Sequence, residues 1–220
     1  MEEINFGEKI IIDESIEKDE LHEYIPDSGV TKLNQGGEIR IPIYAEDIFL
    51  AISRSYLVFE GQLVNDDGTE LPDDKKITMV NNAIMYLFSS IKYELSGNTI
   101  ENIYDPGETT TMMGLLKYSE DFEKSQGMNQ LWCRERNWNN SKDGFTVRRL
   151  YIQEYSDPKG YFSFSIPLKH IFGFAESYDK VLYGFKHQLT LVRKDNSRDA
   201  LIQRTKETAA DGTETFLESM

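Results

Sequence analysis

The 220-residue chain is poor in cysteine, histidine and basic side chains, and each scarcity removes a class of chemistry. A single cysteine, Cys133, leaves no partner for an intrachain disulfide and too few thiolates for a cysteine-based metal cluster. It follows Trp132, with no basic partner identifiable to stabilise a thiolate, so it reads as an unreactive free thiol in a loop or core of a protein from a reducing compartment. Three histidines occur, His22, His170 and His187, and none stands at the His-Glu-x-x-His or two-His-one-carboxylate spacing of a catalytic metal site. His170 and His187 read instead as hydrogen-bonded corner or strand residues. No Gly-x-Ser-x-Gly elbow, phosphate loop or dinucleotide fingerprint is present, so neither a cofactor nor enzymatic activity is expected. Paired acids such as Asp73 and Asp74 read as surface turn residues; a carboxylate-pair hydrolase would need partners remote in the chain.

Charge and hydropathy exclude two further classes. Against 38 acidic residues stand only 24 Lys and Arg, a net charge of −14, whereas a direct nucleic-acid binder needs clustered cations to neutralise phosphates. Arg134, Arg136, Arg148 and Arg149 are the local basic clusters, and they read as solvated strand edges or salt-bridge partners. No apolar run approaches the roughly 18 residues that span a bilayer, and the opening Met-Glu-Glu-Ile-Asn is acidic where a secretory signal is basic. Neither a membrane span nor export by that route is expected.

What the chain has is aromatic bulk and period-two alternation. Twelve Tyr, twelve Phe and two Trp suit sheet faces. Ile39, Ile41 and Ile43 alternate along one face of a strand whose Pro42 marks an edge or bulge. Ser55–Gly61 reads as a second strand, followed by a turn at residues 65–68. In the stretch 77–91, Val80, Ile84, Leu87 and Ile91 recur at helical spacing after Asn81 and Asn82, which suit a helix start. The period then becomes two through Ile91, Tyr93 and Leu95 before a turn at Ser96-Gly97-Asn98. A helix is expected over 107–124, with Met112, Leu115, Leu116 and Phe122 as its packing side and Gly127 ending it. Strands resume at 145–153 and, after a turn at 156–160, at 161–166. Many short strands divided by turns predict an all-β fold, an eight-stranded antiparallel jelly-roll sandwich with short helical insertions near 78–90 and 107–124.

Two blocks resemble a known family. The first is Val80-Asn81-Asn82, then Leu87-Phe88-Ser89 and Ile91, then a strand through Leu95 into the Gly97 turn. The second is a strand entering Pro167-Leu168, with Ile171 and Phe172 at the corner, followed by a strand bearing Gly184, Leu191 and Arg193. In this order the blocks, covering about residues 77–195, resemble the first jelly roll of the double jelly-roll, hexon-like major capsid proteins of polintons (Mavericks) and adintoviruses. The resemblance implies a structural subunit of an icosahedral shell, found in the virion and assembled in host cytoplasm or nucleus. Its implied partners are other copies, as homotrimeric capsomers and their neighbours, and a penton or minor capsid protein. The chain departs from the family in carrying Met85-Tyr86 where a His-Ser pair is frequent, and in having room for one jelly roll where the family has two.

The organisation expected is an acidic N-terminal arm at 1–36, a jelly-roll domain at 37–204, and a C-terminal linker or tail at 205–220. The arm could extend onto a neighbouring subunit or remain a solvated tail. Trp132 and Trp138, in a polar and aromatic stretch over 125–144, are the candidate intersubunit anchors. The alternative from a different class is a jelly-roll carbohydrate-binding module, in which Trp132, Trp138 and Tyr118 would stack on a sugar.

Overall fold

The structure, a computed structural model, describes residues 18–27, 36–44, 47–65, 67–72, 76–135, 143–208 and 214–219. Trp138, Arg136, Asp73, Asp74 and most of the acidic arm lie outside them. Nine strands are described, and every pairing among them is antiparallel. One sheet has the order β1-β7-β4-β5, formed by Glu38–Tyr44, Lys186–Arg193, Phe88–Leu95 and Asn98–Tyr104. Two further sheets are β2 (Tyr56–Gln62) paired with β6 (Tyr161–Pro167), and β3 (Ile77–Met79) paired with β8 (Leu201–Thr208), which also pairs with β9 (Glu214–Ser219). This is the antiparallel sandwich that the alternation predicts, with nine described strands in place of the expected eight, seven of them between Glu38 and Arg193 and two beyond. The C-terminal stretch read as a linker thus carries paired strands.

Several elements lie where the period-two pattern puts them. β1 is a sheet edge, as Pro42 requires, and its Ile43 is buried. The β4–β5 hairpin turns through Ser96 and Gly97, both at positive φ (47° and 82°), the geometry of a two-residue hairpin loop. Apolar side chains from these sheets meet in one core: the Phe59 ring of β2 lies 5.6 Å from that of Phe88 in β4, and Tyr93 of β4 lies 5.8 Å from Phe172. Of the described arm residues, Asp19 pairs with Arg54 at 2.6 Å, Asp27 donates its N–H to Arg40 O, and Tyr24 packs against the core.

Three expectations are corrected. The helix over 78–90 shrinks to α1, Ala83–Tyr86, because Ile77–Met79 pairs with β8 and Asn82 adopts a left-handed conformation (φ 60°) that no helix contains. The strand over 145–153 is instead α4 (Gly144–Arg149) running into a π turn at Leu150–Glu154. Asp143 starts this helix by accepting the N–H of Thr146 at 2.8 Å. Its buried positions, Phe145, Arg148 and Ile152, follow helical spacing that a charged residue in the middle disguised.

The third correction concerns α2 (Pro106–Lys117), where the expected packing side faces outward: Met112, Leu115 and Leu116 are exposed, Leu116 to 85%. Its buried positions are Pro106, Gly107, Thr110 and Gly114. A Cβ on Gly107 would stand 2.5 Å from the Tyr86 ring, and one on Gly114 would stand 2.4 Å from the Trp132 ring. The bulk at this contact comes from the neighbours, so the helix can approach only with its smallest side chains. α3 (Glu120–Glu123) follows, and α5 (Gly173–Ser177) precedes β7.

Candidate functional site

The family-motif residues form a scaffold around the first sheet. Asn81 Oδ1 accepts the N–H of Cys133 at 2.6 Å. Asn82 donates its amide to Thr110 (2.7 Å) and Thr111 (3.0 Å) of α2, while its N–H bonds Leu131 O at 3.1 Å. The paired asparagines stand at a helix start, Asn82 O accepting the Met85 N–H at 3.1 Å, but their side chains tie α2 and the segment 131–133 to one turn instead of capping α1. Val80 donates its N–H to Ala200 O, and Leu87 O accepts from Lys194. Phe88, Ile91 and Leu191 are buried to within 1% exposure, and Ile91 pairs with Leu191 across the β4–β7 ladder. Ser89 donates to Val192 O, Leu95 packs against the core, and Gly97 makes the hairpin turn. Pro167 ends β6 opposite Tyr56, with Ile171 and Phe172 buried at the following corner. Gly184 takes φ 77°, and Arg193 bonds Ser197 at 2.5 Å.

Trp132 is fully buried between Gly114 and Tyr118, whose ring meets it edge-on at 5.0 Å. It therefore packs within the molecule and presents no area to a sugar or a partner. Tyr118 is also stacked on Phe122 at 4.1 Å. The enclosed cavity beside these rings measures about 10 Å³, the space of a single water. An open recess of about 460 Å³ elsewhere is lined only by Glu70, Gln153, Glu154, Ser156, Asp157 and Lys159, without the apolar walls of a small-molecule pocket.

His170, His187, Arg148 and Arg204 are held by internal bonds. His187 Nδ1 lies 2.7 Å from the Tyr93 hydroxyl; burial lowers the His187 pKa and raises that of Tyr93, so the pair is neutral. His170 Nδ1 meets Gln130 Oε1 at 2.7 Å, and burial, reinforced by Lys169, pulls its pKa down to about 4. Arg148, 1% exposed, donates to Met79 O at 2.8 Å, to Cys133 O and to Glu135. Arg204 pairs with Asp143, reaches Glu135 at 3.5 Å and lies 4.1 Å over the Phe145 ring. Burial alone would raise the Asp143 carboxyl, but hydrogen bonds from Thr146 and Arg204 bring it below its ordinary value. Of the two readings of Arg148, solvated edge or salt-bridge partner, the structure has the second, and this buried cluster ties residues 133–135 and 143–148 to β3 and β8. Among the described residues, no three His, Cys, Asp or Glu side chains converge as a metal site requires, and no helix is long and apolar enough to cross a membrane.

The exposed apolar residues are the remaining chemistry. Besides the α2 stripe, one group of them gathers at the far end of the first sheet, where the tilted rings of Phe49 and Tyr183 lie 4.9 Å apart beside the Leu50–Leu182 bridge. Antiparallel sheets packed around one apolar core make the chain a β-sandwich protein. Residues 77–213 match the model of the double jelly roll-like domain, and the chain belongs to that family. No curated protein sequence matches it. Among solved structures it is similar to PBCV-1 VP54, fitted into a reconstruction of the virophage Sputnik, at 12% identity and TM-score 0.34, over 75% of this chain and 32% of that one. It is also similar to the Faustovirus major capsid protein, at 12% identity and TM-score 0.41, over 95% of this chain and 50% of that one. The chain thus spans a third to a half of the length of these structures.

Proposed function

We propose that the chain is a non-enzymatic wall subunit of a viral or virus-derived shell, the first jelly roll of a hexon-like protein of the polinton and adintovirus type. The observation that carries this reading is its membership of the double jelly roll-like family across β3 to β8. The motif blocks around Asn81-Asn82 and Pro167 support the finer lineage. Copies of the subunit meet as trimers and build the capsid of a virion in host cytoplasm or nucleus, with a penton or minor capsid protein completing the shell. The net charge of −14 supports a wall that leaves the genome to other proteins. The acidic arm over 1–36 then serves neighbouring subunits, and Trp138 remains a candidate anchor, while Trp132 supports packing.

The test is to express the chain and follow its association by light scattering and electron microscopy. Trimers or shells are expected. A strictly monomeric chain that binds glycans would instead establish the carbohydrate-binding alternative, which the burial of Trp132 disfavours.

A further inference from the structure

Two exposed apolar surfaces lie on different elements. On α2 the stripe Met112, Met113, Leu115 and Leu116 is 43% to 85% exposed. These four neighbouring side chains form a contiguous exposed apolar stripe, the kind of surface that marks an interaction site. The second surface is Tyr44, Phe49, Val181, Tyr183 and Phe185, 41% to 70% exposed. Register joins its parts: Tyr44 lies opposite Lys186, and the Leu50–Leu182 bridge sets Phe49 against Tyr183. It lies beside the β4–β5 turn, since Ser96 donates its N–H to Lys186 O. α2 begins at the opposite end of β5, after Tyr104.

Charge decides how these surfaces pair. The α2 stripe is bracketed by exposed acids, Glu108 before it and Glu120 and Asp121 after it; Lys117 pairs with Glu176 at 2.5 Å and Lys124 with Glu120 at 3.9 Å, which leaves acids in excess. Two copies of α2 face to face would therefore bring like charges together in a protein already at −14. The aromatic end carries exposed Lys180 and Lys186 alongside exposed Asp47 and Asp179, a balanced rim that, unlike a second α2, brings no excess of like charge to the stripe. We propose that the α2 stripe of one copy docks on the aromatic end of a second copy of this chain. Unlike patches joined in this way form a head-to-tail contact, which closes into a ring when the rotation allows it. The inference rests on the shell reading and names the surfaces through which its subunits meet.

The test uses the full chain and two double variants, Met112→Ser with Leu116→Ser and Phe49→Ser with Tyr183→Ser, with folding checked by circular dichroism and melting temperature. Size exclusion with light scattering should show a closed oligomer for the parent chain and monomers for each variant, with association at least tenfold weaker. An equimolar mixture of the two variants should give a dimer and nothing larger, because one intact pair of surfaces survives. If the aromatic variant loses stability, Lys180→Glu with Lys186→Glu probes the same surface without altering ring packing and should weaken association by a similar factor. An oligomer that either surface variant leaves intact, or a mixture that stays monomeric, overturns the contact. Shells still formed by both variants would remove this contact and leave the shell reading standing; a parent chain that neither associates nor forms particles removes both.

Discussion

The turn at Asn81-Asn82 and the outer face of α2 lie on either side of one contact and treat their side chains in opposite ways. On the inner side, polar groups are buried and bonded: Asn82 is 4% exposed and holds two threonines, and Asn81 holds the Cys133 amide. On the outer side, Leu and Met face solvent while Gly and Thr face the core. The difference teaches that burial here follows available space. Tyr86 and Trp132 fill the volume beneath α2, so the helix turns its large apolar groups outward, where no described residue covers them.

Perturbing the inner side should cost most. Phe88→Ala removes a ring that is 1% exposed and should lower stability by about 3 to 5 kcal/mol, read from denaturant unfolding. If its effect matched that of an exposed leucine, the contrast between the two sides would collapse. Gly114→Ala sharpens the same contrast at the contact itself. The added methyl gains about 1 kcal/mol of helix propensity but meets the fully buried Trp132 ring, and overpacking of about 1 to 3 kcal/mol should dominate. A raised melting temperature in Gly114→Ala would mean that the approach is loose.

Acid should weaken the interior in a way the exterior does not share. His170 has a folded pKa of about 4, below its ordinary 6.5, so as pH falls between these values the unfolded chain binds a proton that the native chain does not. Its contribution is full above that window and is lost within it. Asp143, held below its ordinary value, has the same sign at lower pH: its stabilisation is present above the unfolded carboxylate pKa and lost as pH falls through the folded one. Unfolding curves from neutral to acid pH should therefore slope downward, and His170→Gln should flatten the part between about 6.5 and 4. An unchanged slope in that variant would place the acid sensitivity elsewhere. The smallest stability effect is expected on the outer side, where Leu116→Ser should shift stability by no more than about 0.5 kcal/mol while altering association.

The comparison also shows which features were readable in the residues. Alternation at Ile39, Ile41 and Ile43, the Ser96-Gly97 turn and the strand into Pro167 are local: each needs only its own neighbours in the chain to set face, edge or turn. α4 was hidden because its middle buried residue is Arg148, whose partners Met79, Cys133 and Glu135 come from elsewhere in the chain. The motif blocks carried the family resemblance without revealing that Asn81 and Asn82 act as clamps.

By itself the sequence determined an all-β, disulfide-free, acidic sandwich, because pleat periodicity, turn residues and charge are properties of short stretches and of composition. Only the tertiary structure decided which face of α2 is buried and that Trp132 lies inside. A helix carrying both small and large apolar residues can pack either side. The choice depends on the volume already occupied by Tyr86 and Trp132, side chains brought to it from other parts of the chain.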